Sequence, residues 1–228
     1  MKKSTLLLVC LLISFSCLET DYIDDRVDPK INISNPLLTL KIEDSYPFQA
    51  DYFNYIGEKI ENPSVSWSSS DPSILEISES GLATAISFGS ATITASLVTT
   101  EEGLTITNDD LVTVSTATLT ESIEFVGTVV STSSYQLGGS YVLKVLDNDV
   151  LRLSLGDDYV ASTSLPGLYI YLGNNPNSIA NAYEVAAVTV FEGAHFYDLP
   201  ESIGLYDYNY ILYWCKPFGV KVGEGQIQ

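Results

Sequence analysis

Histidine occurs once in the 228 residues, methionine once and cysteine three times. That scarcity excludes most built-in cofactor chemistry. A blue-copper centre needs two histidines and a cysteine, and the single His195 cannot supply it from one chain. Haem held by histidine and methionine fails as well, because the only methionine is Met1, and iron–sulfur clusters need several thiolates. His195 with Cys215 remains as a haem pair, but no motif stands behind it. Without a second histidine or a Gly-x-Ser-x-Gly turn a hydrolytic triad has little support. Positive charge is also short: 10 Lys and Arg stand against 29 Asp and Glu, for a formal net charge of −19. With no basic stripe, nucleic acid is not an expected partner. After residue 15 no apolar run approaches the about 20 residues of a membrane-spanning helix, and no apolar pattern holds helical spacing over three turns.

What the sequence does contain begins with Met1, Lys2 and Lys3 followed by "LLLVCLLISF", Leu6 to Phe15. A charged start and a short apolar stretch make a secretory signal. Its end, "ISFSC", resembles a bacterial lipoprotein signal, in which Cys17 is diacylated and becomes the first mature residue; Ser14 stands where that family usually carries leucine. The other reading is an ordinary signal peptide cut near Ser16, leaving Cys17 a free thiol. Residues 1–16 are thus expected as signal peptide and the acidic "CLETDYIDDRVDPK", residues 17–30, as a tether from lipid to folded domain. The resemblance implies an exported protein anchored in the cell envelope, at the outer membrane or cell surface, with the membrane as partner. Cys10 leaves with the signal and Cys17 carries lipid, so Cys215 is the one thiol of the folded part. No intrachain disulfide is then available, and stability has to come from apolar burial, for which 46% hydrophobic residues suffice in two modest domains.

From Ile31 onward short β-rich runs alternate with Gly, Pro, Asn and Asp. "SVSWSSS" from Ser64 alternates Val65 and Trp67 with serines, and "SATITAS" from Ser90 alternates Ala91, Ile93 and Ala95 with Ser and Thr. Each pattern is that of a half-buried strand. "SDPS", "ESG" and "FGS" punctuate them as turns. The stretch "VSWSSSDPSILEISESGLATAISFGSATITAS", Val65 to Ser96, resembles the bacterial immunoglobulin-like domain, group 2. Trp67 fits that family's tryptophan, and Gly81, Leu82 and Thr84 with Gly89, Ala91, Thr92 and Ile93 fit its turns. The resemblance implies a disulfide-free sandwich over residues 31–120, used as a stalk or adhesion module and carrying no catalytic residues. "TESIE" at Thr120 to Glu124 is the expected boundary.

Residues 124–228 begin a new set of strands, with turns expected at Gly138 and at "DND", Asp147 to Asp149. "PGLYIYL" at Pro166 to Leu172, "FYDLP" at Phe196 to Pro200 and "YWCKPFGVKVG" at Tyr213 to Gly223 resemble the DM thirteen domain. That family is named for electron transfer, with Cys215 in the position of its proposed redox residue. The family's Gly-Pro before the "LYIYL" strand reads Pro166 then Gly167 here.

From the residues themselves Cys215 reads differently. A dithiol cycle would need a partner thiol; Lys216 points to the opposite strand face, and Lys221 lies about 20 Å along an extended chain. Cys215 is therefore expected as a small buried hydrophobe beside aromatics, with a redox role as the alternative. Acidic turns at Asn108 to Asp110, Asp147 to Asp149 and Asp157 to Asp158 lack the spacing of a known calcium loop, so no metal is expected, and no other cofactor either unless the redox alternative holds. "LYDYNYILYW" places Tyr206, Tyr208, Tyr210, Leu212 and Trp214 on one strand face. That row is either core or, where exposed, a platform for a protein or glycan ligand. The expected fold class is all-β, an immunoglobulin-like β-sandwich followed by a second β-sandwich-like domain. The expected function is non-enzymatic: binding, adhesion or spacing. An electron-transfer domain using Cys215 is the alternative.

Overall fold

In the computed structural model residues 26–120, 124–147 and 149–227 are described; the signal peptide, Cys17 and most of the tether lie outside them, as does the centre of the expected boundary at 121–123. The described residues form strands and a single 3-10 turn, so the all-β class holds. Two separate apolar cores account for the arrangement, one built from residues between Ile31 and Val114 and the other from residues between Phe125 and Ile227.

The first core is enclosed by β1 (Lys30–Ile33), β2 (Leu37–Lys41), β3 (Ser45–Pro47), β4 (Ala50–Phe53), β5 (Lys59–Ile60), β6 (Ser66–Ser69), β7 (Leu75–Ile77), β8 (Leu82–Ala85), β9 (Gly89–Val98), β10 (Thr105–Ser115) and β11 (Leu119–Thr120). One sheet runs β11-β2-β10-β9-β6, and the smaller sheets β3-β8-β7 and β1-β4-β5 complete the enclosure. Ala91, Ile93 and Ala95 of β9 point inward at no more than 1% exposure, as the period-two pattern requires. Val65 and Trp67 are half-buried against the same core, with the Phe48 ring tilted against that of Trp67 at 6.1 Å. "SDPS" is an Asx turn, in which Asp71 Oδ1 accepts from the Ser73 amide and hydroxyl at 3.0 and 2.6 Å.

Asn108 to Asp110 do not form the expected turn. They lie inside β10, paired along β9, and the side chains of Asn108 and Asp110 satisfy backbone donors of the chain crossing from β1 to β2, while Asp109 accepts from the Thr94 hydroxyl. Ile33 N donates to Asn108 Oδ1 at 2.9 Å and Leu37 N to Asp110 Oδ2 at 2.8 Å. Polar side chains on a strand thus serve the amides that no neighbouring strand can reach.

The second core is wrapped by β12 (Glu124–Ser131), β13 (Leu137–Val145), β14 (Leu151–Leu155), β15 (Val160–Ala161), β16 (Leu168–Gly173), β17 (Tyr183–Ala187), β18 (His195–Asp198), β19 (Tyr210–Cys215) and β20 (Val220–Gln226). They form one sheet in the order β17-β16-β19-β20-β12-β13-β14-β18, with β15 on β13. Residues from strands far apart in that order, such as Leu143, Leu153, Ile170 and Tyr213, share a single core. The sheet therefore curls onto its own inner face.

The turn expected at Gly138 lies elsewhere: Gly138 and Gly139 sit within β13, and the chain reverses before Leu137. Gly139 serves close approach rather than reversal. Gly139 has φ of +132°, and a Cβ there would lie 2.5 Å from Tyr159 Cα. Gly139→Ala is accordingly expected to cost more than about 2 kcal/mol in chemical denaturation. Gly103→Asn, at φ +65° with open space around it, should stay within roughly 0.5 kcal/mol of the parent.

Candidate functional site

Cys215 ends β19, facing the second core beside Tyr213 and Ile211, and is 1% exposed. Its backbone partners are Leu168 on β16 and Val220 on β20. Lys221 is not far along an extended strand, because "KPF" forms a 3-10 turn ending at Gly219 with φ of +63° and returns the chain as β20. Lys221 consequently sits opposite Trp214, with its Nζ 2.6 Å from Glu224 Oε2. Lys216 turns away to Glu184, donating at 2.7 Å, and lies over the Tyr169 ring. Neither ammonium is aimed at the sulfur, and the free thiol is held among apolar side chains.

His195 enters the same interior from β18. Its Nδ1 donates to the Gly193 carbonyl at 2.9 Å, and its ring meets Tyr159 edge-on at 4.7 Å and Tyr197 at 5.4 Å. Asp198, three residues on, faces outward and is held by Arg152 at 2.5 and 2.8 Å. It does not orient the imidazole, so these two residues do not form the acid–base half of a triad. The Tyr159 and Tyr213 ring centroids lie 6.2 Å apart, and among the described residues neither buried hydroxyl has a hydrogen-bond partner. Burial pushes the Tyr159 phenol up to about 12 and that of Tyr213 well above its ordinary value.

The tyrosine row is interrupted. β19 begins only at Tyr210, and Tyr206 and Tyr208 belong to the turn before it. That turn is fixed by Asp207, whose Oδ2 accepts from Gly204 N at 2.6 Å. Tyr206 packs edge-on against Phe125 at 5.8 Å, whereas Tyr208 packs against the main core. Tyr210, Leu212 and Trp214 do share the outer face of β19. There they join Tyr171, Tyr169, Ile179 and Ala182 in a second cluster, and Trp214 is only 8% exposed. The Tyr171 hydroxyl donates to Glu184 at 2.9 Å. Burial first and that carboxylate second push its phenol up to about 12. These rings are mostly covered by their own chain, so they form no continuous open platform.

A concave surface of mixed polarity lies instead where the two units adjoin. Arg26, Val27, Asp28, Pro29 and Lys30 of the first unit and Asn174, Asn209 and Tyr210 of the second line a crevice of about 430 Å³. The described end of the expected tether is fastened to the first unit: Val27 N donates to Tyr55 O at 2.7 Å, and Lys30 is the first residue of β1. Asn209 immediately precedes β19. Its amide nitrogen donates to Asn174 Oδ1 at 2.6 Å, and the Asn174 amide donates to Asp207 O at 2.8 Å. This chain leaves Asn209 Oδ1 to accept from Lys30 Nζ. Burial brings the Lys30 ammonium down to about 8.

Two further contacts cross the junction. Lys59 Nζ lies 3.0 Å from Asp51 and 3.1 Å from Asp207; burial works against its charge, but the hydrogen bonds to the two carboxylates outweigh it and raise its pKa. Gly57, with φ of +76°, brings the backbone so close that a Cβ would lie 2.7 Å from the Asn174 carbonyl carbon. A smaller crevice of about 280 Å³ between Asn32, Asn108, Phe125 and Tyr206 opens at the same junction. Among the described residues no group of three or more His, Cys, Asp or Glu is placed to hold a metal ion. No helix among them is long and apolar enough to cross a membrane.

The chain matches no family model and none of the curated proteins. Among solved structures it is similar to the crystal structure of an intimin mutant from EHEC O157:H7, at 15% identity and a TM-score of 0.25, over 46% of this chain and 52% of that one. The chain thus spans about half the length of that structure.

Sequence reading located Cys215 and the outer stripe of β19 but missed Lys30, Asn174 and Asn209. Lys30 reads as the end of a polar tether and the asparagines as loop residues; only their convergence across more than a hundred positions marks them.

Cys215 is expected to resist alkylation by a small thiol reagent in the folded chain carrying Cys17→Ser, reacting at the rate of global opening; rapid labelling near neutral pH would contradict its enclosure. For Lys30 the sign follows from burial: the folded chain holds the proton less tightly than the unfolded one, so folding releases it between pH 8 and the ordinary value of 10.5. The stability of the parent relative to Lys30→Met should therefore rise across that window, by roughly 1 kcal/mol after allowing for solvent screening. Paired denaturation curves at pH 7 and pH 10 check this.

Proposed function

We propose that this chain is a lipid-anchored cell-envelope protein whose two β units act by binding rather than by turnover, the first unit presenting the second and both contributing to one ligand-binding junction. The observation that carries the reading is the crevice at the junction, where an ammonium from one unit and an ordered pair of amides from the other meet. Ligand sites favour such places because two rigid bodies can hold polar groups at fixed positions around a concave surface. The signal sequence, Cys17 and the acidic stretch after it support anchoring.

The first unit is read as an immunoglobulin-like stalk or adhesion module, and the second as a DM thirteen-type domain in which Cys215 contributes to packing. Enclosure of that thiol among apolar side chains, with the nearby ammonium groups turned elsewhere, supports packing over nucleophilic or redox use.

In a bacterial host the parent chain is expected to fractionate with the envelope and incorporate labelled palmitate, and Cys17→Ala should abolish the label and release the protein to the soluble fraction. Retention of both properties in Cys17→Ala would refute lipid anchoring.

A further inference from the structure

We propose that the junction crevice binds carboxylate-bearing sugars, with Lys30 holding the carboxylate; this deepens the binding role proposed above and rests on it. The first ground is an uncompensated cation. Among the described residues Lys30 forms no ion pair, and its hydrogen-bond partner across the junction is the neutral Asn209 Oδ1. An ammonium has three N–H groups, so those not spent on Asn209 can meet a ligand. A desolvated positive charge without a counter-charge is costly, and an incoming carboxylate offsets that cost with charge-assisted hydrogen bonds.

The second ground is preorganisation. Asn209 and Asn174 are 5% and 9% exposed, and their linked amides fix which atom faces Lys30, so little side-chain freedom remains to be lost on binding. The third is the mixed surface of the crevice. Pro29 and Tyr210 offer apolar contact beside the polar groups, and a sugar ring presents both an apolar face and hydroxyls. Its volume of about 430 Å³ falls within the range of small-molecule sites. Arg26 lines the same wall but is engaged with Glu102, and Asp28 adds one negative charge to the wall. A ligand with a single carboxylate suits this balance better than a polyanion.

Binding would also draw the Lys30 proton back, since an adjacent carboxylate favours the charged ammonium. Affinity should therefore be greatest below the ionisation of free Lys30 and fall as pH rises beyond it.

The test is calorimetric titration of the mature two-unit chain carrying Cys17→Ser, with digalacturonate, its neutral counterpart digalactose, inorganic phosphate and a glutamate-rich peptide as probes. The expected result is measurable binding of digalacturonate at pH 6.5, at least tenfold weaker for the neutral sugar and at pH 10. Lys30→Met should lose at least tenfold, whereas Lys30→Arg, which keeps the charge, should stay within about threefold. Circular dichroism of both variants establishes that they fold. Equal affinity for phosphate or for the peptide would overturn the assignment to sugars, and digalacturonate binding unchanged in Lys30→Met would overturn the assignment to Lys30. Absence of digalacturonate binding would overturn this proposal alone while the anchored chain still captured other envelope or host glycans; failure to bind any glycan or protein ligand would overturn the binding role itself.

Discussion

The strand Tyr210–Cys215 obeys a constraint on which the second unit and the junction both depend: its side chains alternate, and both of its faces are covered. Ile211, Tyr213 and Cys215 enter the enclosed core, each at no more than 1% exposure, while Tyr210, Leu212 and Trp214 form the outer cluster. A shift of one residue would exchange the two sets, placing the tryptophan in a space shaped for a thiol. The register is consequently held from both sides. The same register sets where the strand begins, and so where the preceding Asn209 meets Asn174 and Lys30. Core packing in one unit thus determines a polar contact with the other.

Cys215 illustrates how a residue chosen by its chemistry can be explained by its volume. A thiol near lysines in sequence invites a reactive reading, yet the 3-10 turn at Lys216–Phe218 sends one lysine to Glu184 and the other to Glu224. Free cysteine behaves among apolar neighbours as a small hydrophobe. The buried tyrosines beside it gain from area while tolerating hydroxyls that find little hydrogen bonding, and their high ionisation keeps them neutral under ordinary conditions.

The alternation of Val65 and Trp67, and of Ala91, Ile93 and Ala95, made the sandwich of the first unit legible, because a half-buried strand writes its two environments into adjacent residues. The same logic failed at Asn108 to Asp110, where a polar run is a strand whose side chains repair unsatisfied amides of a crossing segment. It failed again at the glycine pair in β13, where Gly139 marks close backbone approach and not reversal. Extending the β19 stripe back through Tyr206 and Tyr208 ignored Asp207, which hydrogen-bonds Gly204 and builds a turn there. The junction was not legible at all: Lys30 carries no motif, and its distinction is a neutral partner 179 positions away.

Most of the acidic surface of this chain needs no specific explanation beyond solvation, and its few cations are largely engaged with carboxylates. Lys30 departs from that pattern by being partly withdrawn from water and joined to an amide instead. The most direct test is the ionisation of its side-chain amine in the unliganded two-unit chain, followed by nuclear magnetic resonance of isotopically labelled lysine. A midpoint of about 8 is the result this account requires; a midpoint at the ordinary lysine value of 10.5 would mean that the ammonium remains hydrated and that the junction is not built around it.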